Sequence, residues 1–163
     1  MKNKISPCLW FDHQAEEAAR FYTGIFQNSK IVAISHYGEA GKEIHGKPPG
    51  SVLTVAFELN GQSFTALNGG PIFQFNEAVS LQIDCQTQAE VDYYWERLSA
   101  DGDTQAQRCG WLKDKFGLSW QVIPDILPKL LNDPNTAKSQ RVFKAMLGMK
   151  KLDIAGLQRA FEA

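Results

Sequence analysis

The 163-residue chain has few cysteines, almost no net charge and no long apolar run. Its three cysteines, Cys8, Cys85 and Cys109, are an odd number without paired spacing, which favours reduced thiols in the cytoplasm over disulfides. Its 17 basic and 18 acidic residues nearly cancel and form no basic stripe, so nucleic acid is excluded as an expected partner. We also expect neither a membrane span nor a secretion signal.

What the chain does have is an internal repeat. Six residues recur 72 positions further along the chain: Leu9, Phe11, Asp12, Phe21, Tyr22 and Phe26 match Leu81, Ile83, Asp84, Tyr93, Tyr94 and Leu98. The strand-like segments that follow Gly61 and Gly117 also match, at a separation of 56. The repeat therefore indicates a duplicated supersecondary unit, shortened by 16 residues in its second copy.

The first copy reads as a strand, a helix and three strands. The hydrophobic pattern predicts these at residues 8–11, 15–26, 30–37, 51–59 and 62–67, with a glycine-rich loop at 38–50. Asn60 and Gly61, which lie between two alternating runs, are typical of a tight hairpin turn.

The second copy has weaker strand signals. Strands are predicted at residues 78–84, around 104–108 and at 118–123, with a helix from the capping box at Thr87 and Glu90 to about Leu98. Helices at 125–131, 139–147 and 154–161, the last with Asp153 as its N-cap, have no counterpart in the first copy. We expect this tail to pack on the core or on a second subunit.

Several segments resemble one protein family: residues 7–12, 15–18, 21–22, 64–71, 75–78, 90–95, 109–121 and 149–155. They are similar to the PhnB-like family, often labelled demethylubiquinone methyltransferase-like, of the vicinal oxygen chelate or glyoxalase/bleomycin-resistance superfamily. The resemblance implies an α+β fold of two tandem βαβββ units that form a glyoxalase-like curved mixed sheet or half-barrel. Residues 1–124 would form this domain, from units at about 5–70 and 78–124, and 125–163 a C-terminal helical extension. It also implies a homodimer.

In catalytic superfamily members a divalent metal is held by His or Glu on the first and fourth strands of each unit. The corresponding positions of this chain hold Ser6, Thr65, Ala78 and Gln121. None is a strong ligand, and transition metals need about three of these. We therefore expect no metal and no cofactor, although His36 and His45 could still converge near the mouth of a cavity.

Alternation of side chains along the strands predicts a ligand site on the open face of the sheet. Its members would be Trp10, Thr65, Ser80, Gln82 and Gln121, with a possible cap formed by Asn68, Phe73, Phe75, Asn76, Cys109 and Trp111. Leu9, Phe11, Phe64 and Trp120 would face the helices. Polar groups on an apolar wall suit a small organic ligand, and the alternative is a set of ordinary hydrogen-bonded residues.

Cys109 has two interpretations. It could act as a nucleophile if Lys113 or Asp114 lies close enough to activate it, or it could be a structural thiol.

Three functions compete. The first is a small-molecule-binding protein with a degenerate metal site, which the four vacant ligand positions favour. The second is a metal-dependent glyoxalase-like lyase, isomerase or dioxygenase. The third, a methyltransferase, is disfavoured because no glycine-rich loop joins a strand to a helix. The expected partners are a small molecule and a second copy of the chain.

Overall fold

The computed structural model describes residues 5–163, and its chain divides after Gln74 into two units. The elements of the first unit are β1 (Cys8–Phe11), α1 (Ala15–Ile25), β2 (Lys30–His36), α2 (Lys42–His45), β3 (Val52–Leu59) and β4 (Gln62–Asn68). Those of the second unit are β5 (Leu81–Cys85), α3 (Gln88–Ser99), a 3-10 turn (Thr104–Ala106), β6 (Trp111–Lys113), β7 (Ser119–Pro124), α4 (Ile126–Leu131), α5 (Thr136–Leu147) and α6 (Ile154–Glu162). No helix within residues 5–163 is long and apolar enough to cross a membrane.

The four strands of the first unit form a mixed sheet in the order β1-β4-β3-β2. β1 is parallel to β4, and the other pairs are antiparallel. Leu9, Phe11 and Phe64 are buried, whereas Trp10 and Thr65 are half-buried and Cys8 is exposed. The predicted alternation of the two faces is therefore confirmed for β1 and β4.

The predicted hairpin turn at Asn60 and Gly61 is confirmed. Both residues have a positive φ, 47° and 79°, and Leu59 pairs with Gln62 across them. Asn and Gly tolerate this left-handed conformation, which matches the twist of the flanking strands. The preceding glycine-rich loop differs from its prediction because it contains the short helix α2.

Asn68, predicted at the cap of the pocket, instead fixes the start of α1. Its side chain is buried, its Oδ1 accepts a hydrogen bond from the Ala15 N–H at 2.8 Å, and its Nδ2 donates to the Val52 carbonyl at 3.1 Å. The amide thereby satisfies a helix-terminal N–H that would otherwise lack an intrahelical partner.

The second unit carries a three-stranded sheet in the order β5-β7-β6, where a βαβββ unit would supply four strands. β5 is parallel to β7, and β6 is antiparallel to β7. The strand predicted around 104–108 is wrong: Thr104–Ala106 is a 3-10 turn, and Asp103 accepts the Gln105 N–H. The strand predicted from Ala78 begins only at Leu81, and Ala78 lies in an exposed turn.

Both units keep the same crossover, since a strand leads through a helix to a parallel neighbour. Leu9 pairs with Ala66 in the first unit, and its repeat partner Leu81 pairs with Trp120 in the second. Strict equivalence would place Leu81 opposite Val122, so the register differs by two residues. An even shift keeps every side chain on its predicted face. The α+β, glyoxalase-like fold class with C-terminal helices is confirmed.

The connection from β6 to β7 is organised by a buried carboxylate. Asp114 is 2 % exposed, and its Oδ1 accepts the N–H groups of Phe116 and Leu118 at 2.9 and 3.1 Å. Its Oδ2 accepts the indole N–H of Trp120 at 2.8 Å. Because these donors satisfy the charge, Asp114 fixes the turn and the orientation of Trp120 together.

The C-terminal helices pack within the second unit. Their apolar cluster consists of Ile123, Leu127, Leu130, Val142, Leu152 and Leu157. The Gln88 side chain of α3 joins the tail by donating to the Leu152 carbonyl at 3.2 Å and accepting the Ile154 N–H at 2.9 Å. Asp153 caps α6 as predicted, whereas α5 begins earlier than predicted, at Thr136. The predicted domain boundary at residue 124 stays a prediction.

The opposite faces of β7 give a stability test. Trp120→Ala should lower the free energy of unfolding by about 3–5 kcal/mol, because it opens a cavity and removes a donor from Asp114. Gln121→Leu, one residue on and half-buried, should change it by less than about 1.5 kcal/mol. Urea unfolding of both variants measures the difference. A larger loss for Gln121→Leu would show that the two faces are inverted.

Candidate functional site

Four side chains form one row across the second sheet. Trp111 on β6 pairs with Gln121 on β7, and Gln121 pairs with Gln82 on β5. Arg108 extends the row through an antiparallel bridge to Trp111. Directly paired residues project from the same face of a sheet, so the row brings together three predicted site residues. Arg108 is a fourth member that sequence reasoning missed.

A two-residue turn sets Arg108 against Trp111. The Arg108 N–H donates to the Trp111 carbonyl at 3.1 Å, and the Trp111 N–H donates to the Arg108 carbonyl at 2.7 Å. The residues at its corner, Cys109 and Gly110, have φ values of 51° and 85°. These are the signs of a type I′ turn, in which both corner residues are left-handed.

The C-terminal tail is hydrogen-bonded to both corner residues of this turn. The N–H groups of Cys109 and Gly110 donate to the carbonyls of Met149 and Lys150, both at 2.8 Å. A Cβ at position 110 would meet a Leu152 methyl group and the Val122 carbonyl at 3.0 Å. Gly110 is therefore required both for its positive φ and for the close approach of the tail.

A cleft of ≈ 440 Å³ opens beside this turn. It is lined by Glu77, Gln105, Ala106, Arg108, Cys109 and Trp111. Its volume lies within the range of small-molecule pockets, and it combines an aromatic wall with polar groups. Cys109 and Trp111 were predicted for the site, whereas Glu77 and Gln105 were not.

The charges of the cleft are unequally paired. Glu77 forms an ion pair with Lys113, and the hydrogen bond from Lys113 is the main cause that holds the pKa of Glu77 below its ordinary value. Within residues 5–163, the Arg108 side chain has neither an ion pair nor a hydrogen bond, and it is exposed. One positive charge of the cleft is therefore left without a carboxylate.

The two predicted glutamines are bonded to their neighbours. Gln121 donates from Nε2 to the Ser80 hydroxyl at 2.9 Å, and Gln82 donates to Asp84 Oδ1 at 2.8 Å. Ser80, placed by prediction inside a strand, lies just before β5. The carbonyl oxygen of each of these amides remains an acceptor on the row.

Trp10 and Thr65 lie on neighbouring strands of the first sheet, where Trp10 pairs with Leu67, two residues beyond Thr65. The Trp10 indole N–H donates to the Gly70 carbonyl at 2.8 Å, and its ring meets Phe73 edge-on at 5.0 Å. Thr65 pairs with Cys8. Their role as ligand contacts stays a prediction.

The residues at the family's metal positions do not fit a transition metal. Ser6 and Thr65 offer only hydroxyl oxygens, Ala78 offers no ligand atom, and Gln121 offers only a neutral amide oxygen. Within residues 5–163, no three His, Cys, Asp or Glu side chains are grouped to hold a metal ion. Neutral hydroxyl and amide oxygens are weak ligands for such ions.

The two histidines considered as an alternative lie in the first unit. His45 accepts the Lys47 N–H at its Nδ1 at 3.0 Å, and its Nε2 lies 3.2 Å from the Ala40 carbonyl oxygen. Both ring nitrogens of His45 are thus used within its own loop. His36 is exposed on β2.

The three cysteines are free and differ in environment. Cys8 is exposed, because it lies on the open face of β1. Cys85 is buried, and burial raises the pKa of its thiol to about 12. Cys109 is half-buried; Lys113 is paired with Glu77, and Asp114 is bonded to backbone and indole N–H groups. No activating group is therefore assigned to Cys109.

Comparison with known proteins identifies the family. The model of the 3-demethylubiquinone-9 3-methyltransferase family matches residues 3–123. The chain is 37 % identical to the PhnB protein of Bacillus cereus, which carries the same family name, with a TM-score of 0.65 and coverage of 75 % of this chain and 99 % of that one. A search of curated proteins returned no match.

Of two further structures matched at lower identity, the first shares the fold, and the second has a TM-score below 0.5. Protein PA1353 of Pseudomonas aeruginosa is 17 % identical, with a TM-score of 0.57 and coverage of 76 % of this chain and 98 % of that one. The fosfomycin resistance protein FosX of Listeria monocytogenes is 14 % identical, with a TM-score of 0.49 and coverage of 79 % and 98 %.

Parallel strand-helix-strand crossovers in both units define a duplicated α+β fold. The chain belongs to the 3-demethylubiquinone-9 3-methyltransferase family, to which the similar PhnB protein is also assigned by name. The word methyltransferase comes from the name of that family.

The left-handed conformation of Cys109 can be tested by two substitutions that both remove the thiol. Cys109→Asn should keep or raise the free energy of unfolding, because Asn tolerates a positive φ. Cys109→Val should lower it by about 1–2 kcal/mol relative to Cys109→Asn, because a β-branched residue is strained there. Equal midpoints in urea unfolding would contradict the assigned turn.

The cysteines should also differ in reactivity. In folded protein at pH 8, iodoacetamide should modify Cys8, while Cys85 stays unmodified because a pKa of about 12 leaves about one thiolate in ten thousand. Mass spectrometry of digested protein measures the modification, and the same reaction in urea should modify both residues. Equal rates for Cys8 and Cys85 in the folded protein would contradict the described burial.

Proposed function

We propose that this chain is a small-molecule-binding protein of the vicinal oxygen chelate superfamily with a degenerate metal site. The observation that carries the proposal is the ≈ 440 Å³ cleft at the end of the row on the second sheet. Trp111 gives the cleft an aromatic surface, and Gln105 and Arg108 give it hydrogen-bond donors.

The ligand contacts follow from this placement. Cys109 and Trp111 would contact the ligand directly, and Gln121, Gln82 and Ser80 would form the polar surface that continues from Trp111. We keep Trp10 and Thr65 as proposed contacts because they lie on the open face of the first sheet.

The donor chemistry favours binding over metal-dependent catalysis. An enolate-stabilising lyase or a dioxygenase of this superfamily would need strong ligands where this chain has Ser6, Thr65, Ala78 and Gln121. Cys109 lacks an assigned activating group, so covalent catalysis has no support either.

The strand-to-helix connections disfavour a methyltransferase. The connection from β1 to α1 consists of residues 12–14, and the connection from β5 to α3 consists of residues 86–87. Neither connection contains glycine. A nucleotide-like cofactor is commonly held by a glycine-rich loop at such a connection.

A cytoplasmic homodimer completes the proposal. On α5, Phe143 and Leu147 lie one helical turn apart and are 43 % and 58 % exposed, and Val32 on edge strand β2 is 55 % exposed. A second copy would cover apolar surface of this kind. Reduced cysteines agree with the cytoplasm.

The binding proposal predicts fragment hits that depend on Trp111. Ligand-detected NMR with a library of small aromatic and polar fragments should find binders to the wild-type protein. Trp111→Ala should weaken these binders by about tenfold, because an aromatic wall contributes about 1–2 kcal/mol. Ile44→Ala, which removes an apolar side chain that is 86 % exposed on α2 and does not line the cleft, is the control and should leave them unchanged.

Three results would overturn the proposal. Hits that bind Trp111→Ala as well as wild type would exclude the cleft. Near-stoichiometric Zn, Ni, Fe or Mn in protein purified without chelator would support the metal-dependent alternative. Saturable heat with S-adenosylmethionine in calorimetry would support the methyltransferase.

A further inference from the structure

We propose that the cleft selects organic anions, in particular a carboxylate attached to a flat apolar body, and that Arg108 is the residue that recognises the carboxylate. This inference rests on the proposed binding function and names the class of ligand.

Arg108 and Trp111 lie directly opposite each other across the turn. The two residues exchange both backbone hydrogen bonds across the turn, so they are a directly opposed pair. Such pairs place their Cβ atoms about 5.5 Å apart on one face. A guanidinium group and an indole ring therefore line the same wall of the cleft.

The charged side chains at the cleft do not all have a partner of opposite charge. The charged residues at the cleft are Arg108, Glu77 and its ion-pair partner Lys113. Glu77 and Lys113 neutralise each other, and no carboxylate within residues 5–163 pairs with Arg108. The cleft thus presents one unpaired positive charge, which matches a monoanion.

The donor groups of Arg108 and Trp111 suit a carboxylate on a planar body. A guanidinium offers parallel N–H groups that match the two oxygens of a carboxylate. Within the described part of the chain, the Trp111 indole N–H also has no hydrogen-bond partner, and the indole face is available for a flat ring. A carboxylate on a planar body would use Arg108 and Trp111 together.

The test compares 2-naphthoate with its neutral isostere 2-naphthamide by calorimetry. We expect wild-type protein to bind 2-naphthoate at least about fivefold more tightly than the amide, because only the acid pairs with the partly exposed guanidinium. Arg108→Gln should abolish that preference, because it removes the positive charge that only the acid uses and so weakens the acid more than the amide. Arg159→Gln, on α6 and already paired with Asp153, is the matched control and should retain the preference.

Two further measurements sharpen the test. Arg108→Lys keeps the charge and loses the planar fork, so its preference for the acid should fall between those of wild type and Arg108→Gln. Rising ionic strength should weaken the acid and leave the amide unchanged.

The failures are distinguishable. Equal affinities of wild type for acid and amide, with both dependent on Trp111, would overturn anion selection and leave the binding function standing. An acid preference that persists in Arg108→Gln would overturn the role of Arg108. Absence of 2-naphthoate binding would overturn the inference, while the fragment screen decides the function separately.

Discussion

Two backbone hydrogen bonds from the C-terminal tail hold the candidate site. Cys109 and Gly110 donate to Met149 and Lys150, and this contact keeps a turn that places a cysteine in the left-handed region. That conformation costs a non-glycine residue about 1–2 kcal/mol, so it persists only where its surroundings fix it. The opposition of Arg108 and Trp111, and with it the wall of the cleft, depends on this turn.

The two type I′ turns show where sequence reasoning succeeds and where it fails. Asn60-Gly61 and Cys109-Gly110 share one backbone geometry, and only the first was predicted. Asn has an intrinsic tolerance for positive φ, whereas Cys has none, so nothing local marks position 109 as a turn residue. The tail contacts that stabilise it come from residues 40 positions away. Because this turn is not predicted, the sequence pattern places the strand of residues 111–113 too early in the chain, around 104–108.

The candidate site was predictable to the extent that it follows strand alternation. Gln82 and Gln121 share a face because a period of two fixes orientation even where the register shifts by two residues. Arg108 was missed because it was taken as the last residue of a strand predicted around 104–108, and Glu77 because it lies in a turn. The role of Asn68 was missed for another reason: its partner Ala15 is 53 positions away, and no local pattern records such a bond.

The two carbonyl groups that accept hydrogen bonds from Cys109 and Gly110 belong to the C-terminal tail. The family model matches residues 3–123, so Met149 and Lys150 lie beyond the residues that it matches, although residues 149–155 resemble the family. In a relative that retains both sheets and lacks an equivalent segment, the N–H groups at the positions of Cys109 and Gly110 would have to bond to water, or the turn would have to adopt another conformation. Its binding surface would then change although its sheets did not. The turn that borders the proposed cleft can therefore change while both sheets stay the same, and a shared family name does not carry a shared ligand.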